Sequence, residues 1–397
     1  MIVAVLINGI ETMIKYIFVL SNEKENPMME TLNYYQMKMA SAVPDPVILD
    51  LSDKSSYLDS LQSFDNDIGG ETTVIIFNSR GFTTSFDGST LYWVQKNVRL
   101  VNILVDHPFY YTDMLLMAPP NMKLGLVDRH FVNLLSDWLP AIGKNAFFFP
   151  HGGTDLGLSG TSYEDRPIDV LYTGSRYPND VFCPPLDFLP DNGDSFYEFA
   201  KNKYFEDEYI EEDGIVDSYL SSSGIVPSVS QKIMMTVCLL KSVKFQVMHE
   251  MKTNLIKALA SSGIHITIHG RGWEDLRDMY PECITIGSYL NSEECIRRMC
   301  NARITLNMMP FFRDGAHERV FNAMLSGSVL VSNKSRYLEE NFSEGGDIIF
   351  TEKDPYLTAQ KVKDVLSDPE KWRFIRENAY SKAKNCTWED RMRDLIL

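Results

Sequence analysis

The sequence is short of positive charge. It has 38 lysines and arginines against 54 aspartates and glutamates, a formal charge of −16. So acidic a chain does not wrap nucleic-acid phosphates or an anionic bilayer non-specifically, although one small basic pocket for one phosphate ligand stays compatible with it. Cysteine is also sparse. Cys183, Cys238, Cys283, Cys295, Cys300 and Cys386 show no C-x-x-C spacing, so neither a secreted disulfide framework nor a zinc site is expected. Reduced, mostly buried thiols of a cytoplasmic protein fit better. No run reaches the roughly 20 apolar residues of a transmembrane helix. The first 20 residues are apolar but broken by Asn8, Gly9, Glu11 and Lys15, and they lack a basic leader and a small-residue cleavage site. Residues 2–7 read instead as a buried first strand. A G-x-G-x-x-G dinucleotide fingerprint and a G-x4-G-K-[ST] phosphate loop are both missing, which argues against a dehydrogenase or a P-loop enzyme.

What the chain does have is length and apolar content. Its 397 residues are 44% hydrophobic and 12% aromatic, enough for two or three packed domains without staples. Short β-branched runs alternate with longer helical stretches, the mark of α/β folds with parallel sheets. In the first half such runs fall at 2–7, 46–50, 73–77, 100–105, 123–127 and 146–149. In the second they fall at 168–173, 264–269, 283–286, 303–307, 328–332 and 347–350. None alternates, as expected of strands covered on both faces. The Gly-, Ser- and Asp-rich stretch 151–167 reads as a linker. It divides a domain at 1–160 from one at 161–397, which carries a helical insertion at about 178–260. The acidic run 204–213 is expected to be a solvated face. Toward the C-terminus, Asp368 before Pro369 reads as a helix N-cap.

The segment 307–333 carries the chemistry. A strand ends at Asn307, a loop holds Pro310 and Gly315, and a helix is predicted from about Ala316 to Ser326 with Asp314 as its cap. Val320, Phe321, Met324 and Leu325 form its buried face. Arg319 and Asn322 share another. The next strand follows at once. A helix N-terminus is thereby set at the C-terminal edge of a parallel sheet, where phosphate-bearing ligands bind, and His317 and Arg319 add donors and charge.

Residues Arg319–Gly327 (RVFNAMLSG), the strand 345–350 (GGDIIF), Asp368-Pro369-Glu370 and Thr387–Arg391 (TWEDR) resemble the donor-binding half of GT-B glycosyltransferases. The likeness is to the group-1-like branch that includes bacterial spore-maturation-type enzymes of glycan biosynthesis. Residues 168–174 and 268–273 resemble the first strands of that half. In the first half, Asp106–Pro108, Asp128–His130 and Phe149–Gly153 look like landmarks of related bacterial enzymes. The resemblance implies an α/β GT-B fold of two Rossmann-like doubly wound domains facing a central cleft. It also implies transfer from a nucleotide-diphosphate sugar, UDP- or GDP-linked, to a glycan, protein or small-molecule acceptor. No cofactor beyond that donor is implied, no resident metal, and no nucleic-acid or integral membrane partner. The family often carries two glutamates eight positions apart across this helix, the first near the donor sugar and the second on the ribose hydroxyls. Here those positions hold Asp314 and Asn322. An amide binds a diol without the charge-assisted strength of a carboxylate, and Glu318, one turn earlier, is a substitute.

The departing diphosphate gains negative charge, so donors aimed at it dominate the rate. Candidates for the donor are Arg176, Arg271, Arg319, the Gly315–His317 turn, Glu318 and Asn322, with Tyr289 placed for the nucleotide base. Asp65-Asn66-Asp67 precedes a Gly-Gly turn and reads as a solvated loop rather than a metal motif. If the reaction inverts, a base is needed from the first half: Asp106 and His107 follow a buried strand run, and His151 follows another. Asp314, beside the donor sugar, completes the candidate catalytic set. A second reading is a GT-B-like protein that binds a nucleotide-sugar or glycan without transferring it, and Asn322 is the feature that supports it.

Overall fold

The computed structural model describes residues 15–22, 29–309 and 311–396. The strand expected at 2–7 lies outside them. Twelve strands are β1 (Tyr16–Leu20), β2 (Val47–Asp50), β3 (Thr73–Phe77), β4 (Arg99–Leu104), β5 (Lys123–Leu126), β6 (Ala146–Phe148), β7 (Ile168–Thr173), β8 (Ile266–His269), β9 (Ile284–Gly287), β10 (Ala302–Asn307), β11 (Val329–Ser332) and β12 (Ile349–Phe350). They form two parallel sheets, ordered β2-β1-β3-β4-β5-β6 and β12-β11-β10-β7-β8-β9. Strand β1, which the sequence reading passed over, pairs with β2 on one side and β3 on the other. Its residues Ile17, Phe18 and Val19 are fully buried. The signal was the same non-alternating apolar run that marks the other strands.

In each sheet the chain starts in the middle, builds outward one way, then crosses back. The reversal falls between β1 and β3 in the first sheet and between β7 and β10 in the second. At such a point neighbouring connections leave on opposite faces, and a crevice opens outside the carboxyl ends of the strands. Helices cover both faces. One core cluster joins Ile17, Val74 and Leu124 on one side of the first sheet, and another joins Phe18, Ile75 and Trp388 on the other. The second sheet is covered likewise.

Three segments cross between the lobes. The supposed linker is packed, not free. A Cβ on Gly152 would lie 2.5 Å from the Trp388 amide nitrogen, and one on Gly153 2.7 Å from Phe321 Cβ, so only glycine allows these approaches. The last helix, Trp388–Ile396, returns to the first lobe, where Trp388 stacks on Tyr35 at 4.4 Å. The insertion contributes helices Asp194–Glu206, Glu212–Ser223, Val229–Lys241 and Val243–Ser261. Of these, 229–241 sends Ile233 and Leu240 into the core of the first lobe.

Two expectations are corrected. The acidic run 204–213 is not a solvated face throughout, since Glu211 and Glu212 are 5% and 2% exposed. Glu212 lies 3.6 Å from the buried Lys244 ammonium and accepts from the Tyr204 hydroxyl at 3.0 Å, while Asp213 meets His130 at 2.7 Å. These partners lie on other elements, so a local charge count could not reveal them. The helix after β10 begins at Glu318, with His317 as its N-cap. Asp314 does not cap it because its backbone and carboxylate are both committed to the first lobe. Asp368 does cap its helix, accepting from the Lys371 amide at 3.0 Å.

Candidate active site

The helix Glu318–Leu325 buries Val320, Phe321, Met324 and Leu325 against the second sheet. That anchors its first turn at the crevice. The Arg319 guanidinium spans the reversal point: Nε donates to Thr173 Oγ1 at the end of β7 (3.2 Å), and Nη1 donates to Asn307 Oδ1 at the end of β10 (3.2 Å). His317 Nδ1 lies 2.8 Å from Glu318 Oε2 and 3.3 Å from the Arg319 amide nitrogen. One nitrogen cannot serve both, and the shorter contact to a carboxylate puts the proton on Nδ1. Burial opposes the Glu318 charge, but His317, Arg319 and His151 outweigh it and hold its pKa down at about 2. Burial lowers the pKa of His317 in turn. Tyr35 from the first lobe lies close by, and burial, with the Glu318 charge behind it, holds its pKa well above the usual phenol value. An ionised carboxylate and a fixed guanidinium thus stand side by side at the cleft.

A second cation stands nearby that sequence reasoning missed. Lys252 is buried, its ammonium 3.2 Å from the Ser175 carbonyl oxygen just past β7. Its helix, Val243–Ser261, carries the buried row Lys244, Met248, Lys252 and Ile256. A lysine at an i, i+4 position of an apolar stripe was the available signal. Arg271 is exposed in the turn after β8, where its amide donates to Ser175 Oγ at 3.1 Å. Tyr289 is 67% exposed past β9.

The other donor-side candidates are occupied. Arg176 donates to the Gly272 carbonyl at 2.6 Å, pairs with Asp275 and lies 5.2 Å over Trp273. It holds the β7 and β8 turns together. Gly315 bridges to Asp128, and a Cβ there would lie 2.3 Å from the Val127 carbonyl oxygen. Asp314 pairs with Arg129, whose other nitrogen reaches Glu340 at 2.7 Å, and its amide donates to Asp128 Oδ2 at 2.9 Å. Burial pushes the Asp128 pKa up to about 6. These contacts form a seam between the lobes. Asn322 Oδ1 accepts from the buried Thr154 amide at 2.8 Å, so its amide clasps the crossing segment.

On the opposite sheet edge only Asp106 stays accessible. His107 is buried, accepts from the Phe109 amide at 3.2 Å and packs edge-on against Phe131; burial holds its pKa at about 3. His151 is buried among Tyr35, Phe312, His317 and Trp388, with Nδ1 2.7 Å from the Ala316 carbonyl oxygen and its pKa held at about 4 by burial. Both rings are therefore neutral structural groups at pH 7. Asp106 is exposed. Its Oδ2 accepts from Asn78 Nδ2 at 3.1 Å and from the Tyr111 hydroxyl at 2.9 Å. Its charge reaches across the cleft to His317, behind the effects of burial, Glu318 and Arg319. Asn78 itself, with φ 48°, and Ser79, with φ 61°, form a left-handed turn. Buried Asn102 holds that turn through two 2.9 Å bonds to Ser79. Among the described residues no group of three or more His, Cys, Asp or Glu could hold a metal ion, and no helix is long and apolar enough to cross a membrane.

Two doubly wound lobes with their carboxyl strand ends facing one cleft define the GT-B class, and the fold is GT-B. Residues 251–396 match the family described as glycosyl transferase-like. No curated protein matches it in sequence. Anabaena HepE, solved with UDP-glucose, superposes with a TM-score of 0.52 at 12% identity, over 96% of this chain and 99% of HepE. Sucrose-phosphate synthase from Thermosynechococcus elongatus gives 0.52 at 10% identity, over 96% and 97%. The pneumococcal O-GlcNAc transferase GtfA, solved with UDP and GlcNAc, gives 0.49 at 10% identity over 86% of this chain, which spans 59% of GtfA. At these identities the likeness is one of fold.

Proposed function

We propose that this protein moves a sugar from a UDP- or GDP-linked donor to an acceptor hydroxyl, with side-chain cations rather than a resident metal taking up the diphosphate charge. The observation that carries the reading is the Arg319 guanidinium fixed between Thr173 and Asn307 at the reversal point of the second sheet. Fixed donors there need no reorganisation as charge develops on the leaving group. Lys252 and Arg271 add charge on the same edge. That HepE was solved with UDP-glucose agrees with such a donor. Glu318, ionised and partly buried, is the carboxylate placed to take donor hydroxyls in the absence of a glutamate at position 322.

In the transfer, Asp106 accepts the acceptor proton as the acceptor oxygen bonds to the sugar's anomeric carbon. The bond from that carbon to the diphosphate breaks, and the nucleoside diphosphate leaves with the electron pair. The engaged amide of Asn322 favours a second reading, in which the nucleotide-sugar is bound but not transferred. Thermal shift and calorimetry with UDP, GDP, ADP, CMP and NAD test both. Stabilisation by one nucleoside diphosphate is expected, since a ligand of the native state raises its apparent stability. No response to any of them overturns both readings. Binding without donor turnover, in the presence of EDTA or of divalent ions, leaves the second.

A further inference from the structure

A cavity of about 1110 Å³ lies at the other reversal point, between β1 and β3. Its floor is Asn22, Leu51 and the turn Asn78–Gly81, its wall the segment Phe109–Asp113, and its roof the insertion helix Val229–Lys241. The roof is pinned, because the Tyr110 hydroxyl donates to the Leu240 carbonyl at 2.8 Å and Ile233 packs into the core of the first lobe. The floor is held in a costly shape. Left-handed non-glycine residues cost about 1–3 kcal/mol each and persist where their surroundings over-determine them. Here the Asn102 and Asp106 bonds do so.

The lining is mixed. Tyr110 and Tyr111 offer rings, and Thr83 and Ser230 offer hydroxyls, as polyhydroxylated ligands with apolar ring faces require. Three cations, Lys54, Arg80 and Lys241, face one acid, Asp113. None of the three is ion-paired among the described residues, although the chain as a whole carries −16. The volume exceeds the roughly 300–1,000 Å³ of pockets for drug-sized ligands, so more than one sugar ring fits. Tyr111 both lines the cavity and bonds Asp106, which joins the cavity to the cleft.

We propose that this cavity between the first sheet and the insertion helix is the acceptor site, and that it takes an oligosaccharide bearing carboxylate, phosphate or sulfate groups. The proposal rests on the glycosyltransferase reading for the word acceptor, and on the cavity alone for the ligand's chemistry. The test is an array of neutral, carboxylated, phosphorylated and sulfated oligosaccharides probed with the wild-type chain, an Arg80→Gln/Lys241→Gln double variant and Thr83→Trp. All three sites are exposed, so the fold is not at issue. Calorimetry with UDP and GDP is run in parallel on each protein.

Retention on one acidic class is expected, weakened by added salt. It should be roughly tenfold weaker or more in the double variant, about the effect of one charge-assisted hydrogen bond. It should weaken further when Thr83→Trp narrows the cavity. The class retained distinguishes sugar acids from phosphorylated and sulfated glycans. Retention of neutral glycans only, no retention of any glycan, or equal retention by the double variant overturns the proposal, whatever the nucleotides do. Acidic-glycan retention without UDP or GDP binding strikes the glycosyltransferase reading and leaves the anionic-saccharide site standing.

Discussion

The two sheets solve the same problem with different side chains. Both reverse direction beside their first strand, and both open a crevice there. In the second sheet the crevice is closed down around a guanidinium, with Arg319 tied to β7 and β10 and Lys252 behind it. In the first it is left wide, with its cations exposed and its roof borrowed from an insertion that belongs to the other half of the chain. A small fixed-charge site suits a diphosphate, whose geometry is invariant. A large, mixed lining with exposed charges suits a partner whose shape varies more. Between the two stands Asp106, held by the wall of one crevice and within electrostatic reach of the other.

The comparison breaks most sharply at Arg319. Arg319→Ala removes the fixed donor, and a loss on the order of 10³-fold in kcat/KM is expected, within the range for preorganised charged donors. UDP affinity falls with it in calorimetry. The variant stays folded, because the buried face of its helix is made by Val320, Phe321, Met324 and Leu325. Unchanged nucleotide affinity would remove the donor from the second sheet's crevice. Asp106→Asn comes next. It keeps the hydrogen-bonding oxygen but not the base, so kcat should fall roughly 10²-fold while UDP binding is untouched. Equal kcat in the two proteins would leave the transfer without a base from the first lobe.

Much of this was legible in the residues. Eleven of the twelve strands among the described residues were expected from apolar runs that do not alternate, and Arg319 stood out because it lies in the first turn of a helix at the carboxyl edge of a parallel sheet. Less legible was everything that depends on a partner distant in sequence. Nothing local shows that Asn322 holds Thr154, that Arg176 is spent on Gly272 and Asp275, or that Glu212 meets Lys244. The seam hid Asp314 and Gly315 for the same reason, because the phosphate-loop reading and the lobe-contact reading share one sequence. The left-handed Ser79 had no signal at all, since its conformation is imposed by buried Asn102. Lys252 had a signal, in its place on the apolar row of its helix.

Asn322 gives a test of intermediate size on the donor side. Substituting Glu places a carboxylate in a buried position where a backbone amide now meets a neutral oxygen. Desolvation should outweigh the stronger hydrogen bond, with a stability loss of roughly 2–4 kcal/mol read from chemical denaturation, and UDP should bind no more tightly. Tighter UDP binding would show that position 322 faces the ribose after all and that the clasp on Thr154 yields to the ligand.

The smallest effect sharpens the comparison on its open side. Tyr110→Phe deletes only the hydroxyl that ties the first lobe to the Leu240 carbonyl. Ile233 and Leu240 keep the roof helix packed, so stability should fall by about 1 kcal/mol, the net worth of one hydrogen bond. The acceptor KM should rise by roughly fivefold, and donor affinity should not change, because no contact of Arg319, Lys252 or Glu318 runs through Tyr110. An equal shift in both substrates would mean that the two crevices move as one body. A shift in the donor alone would reverse the roles assigned to the two sheets.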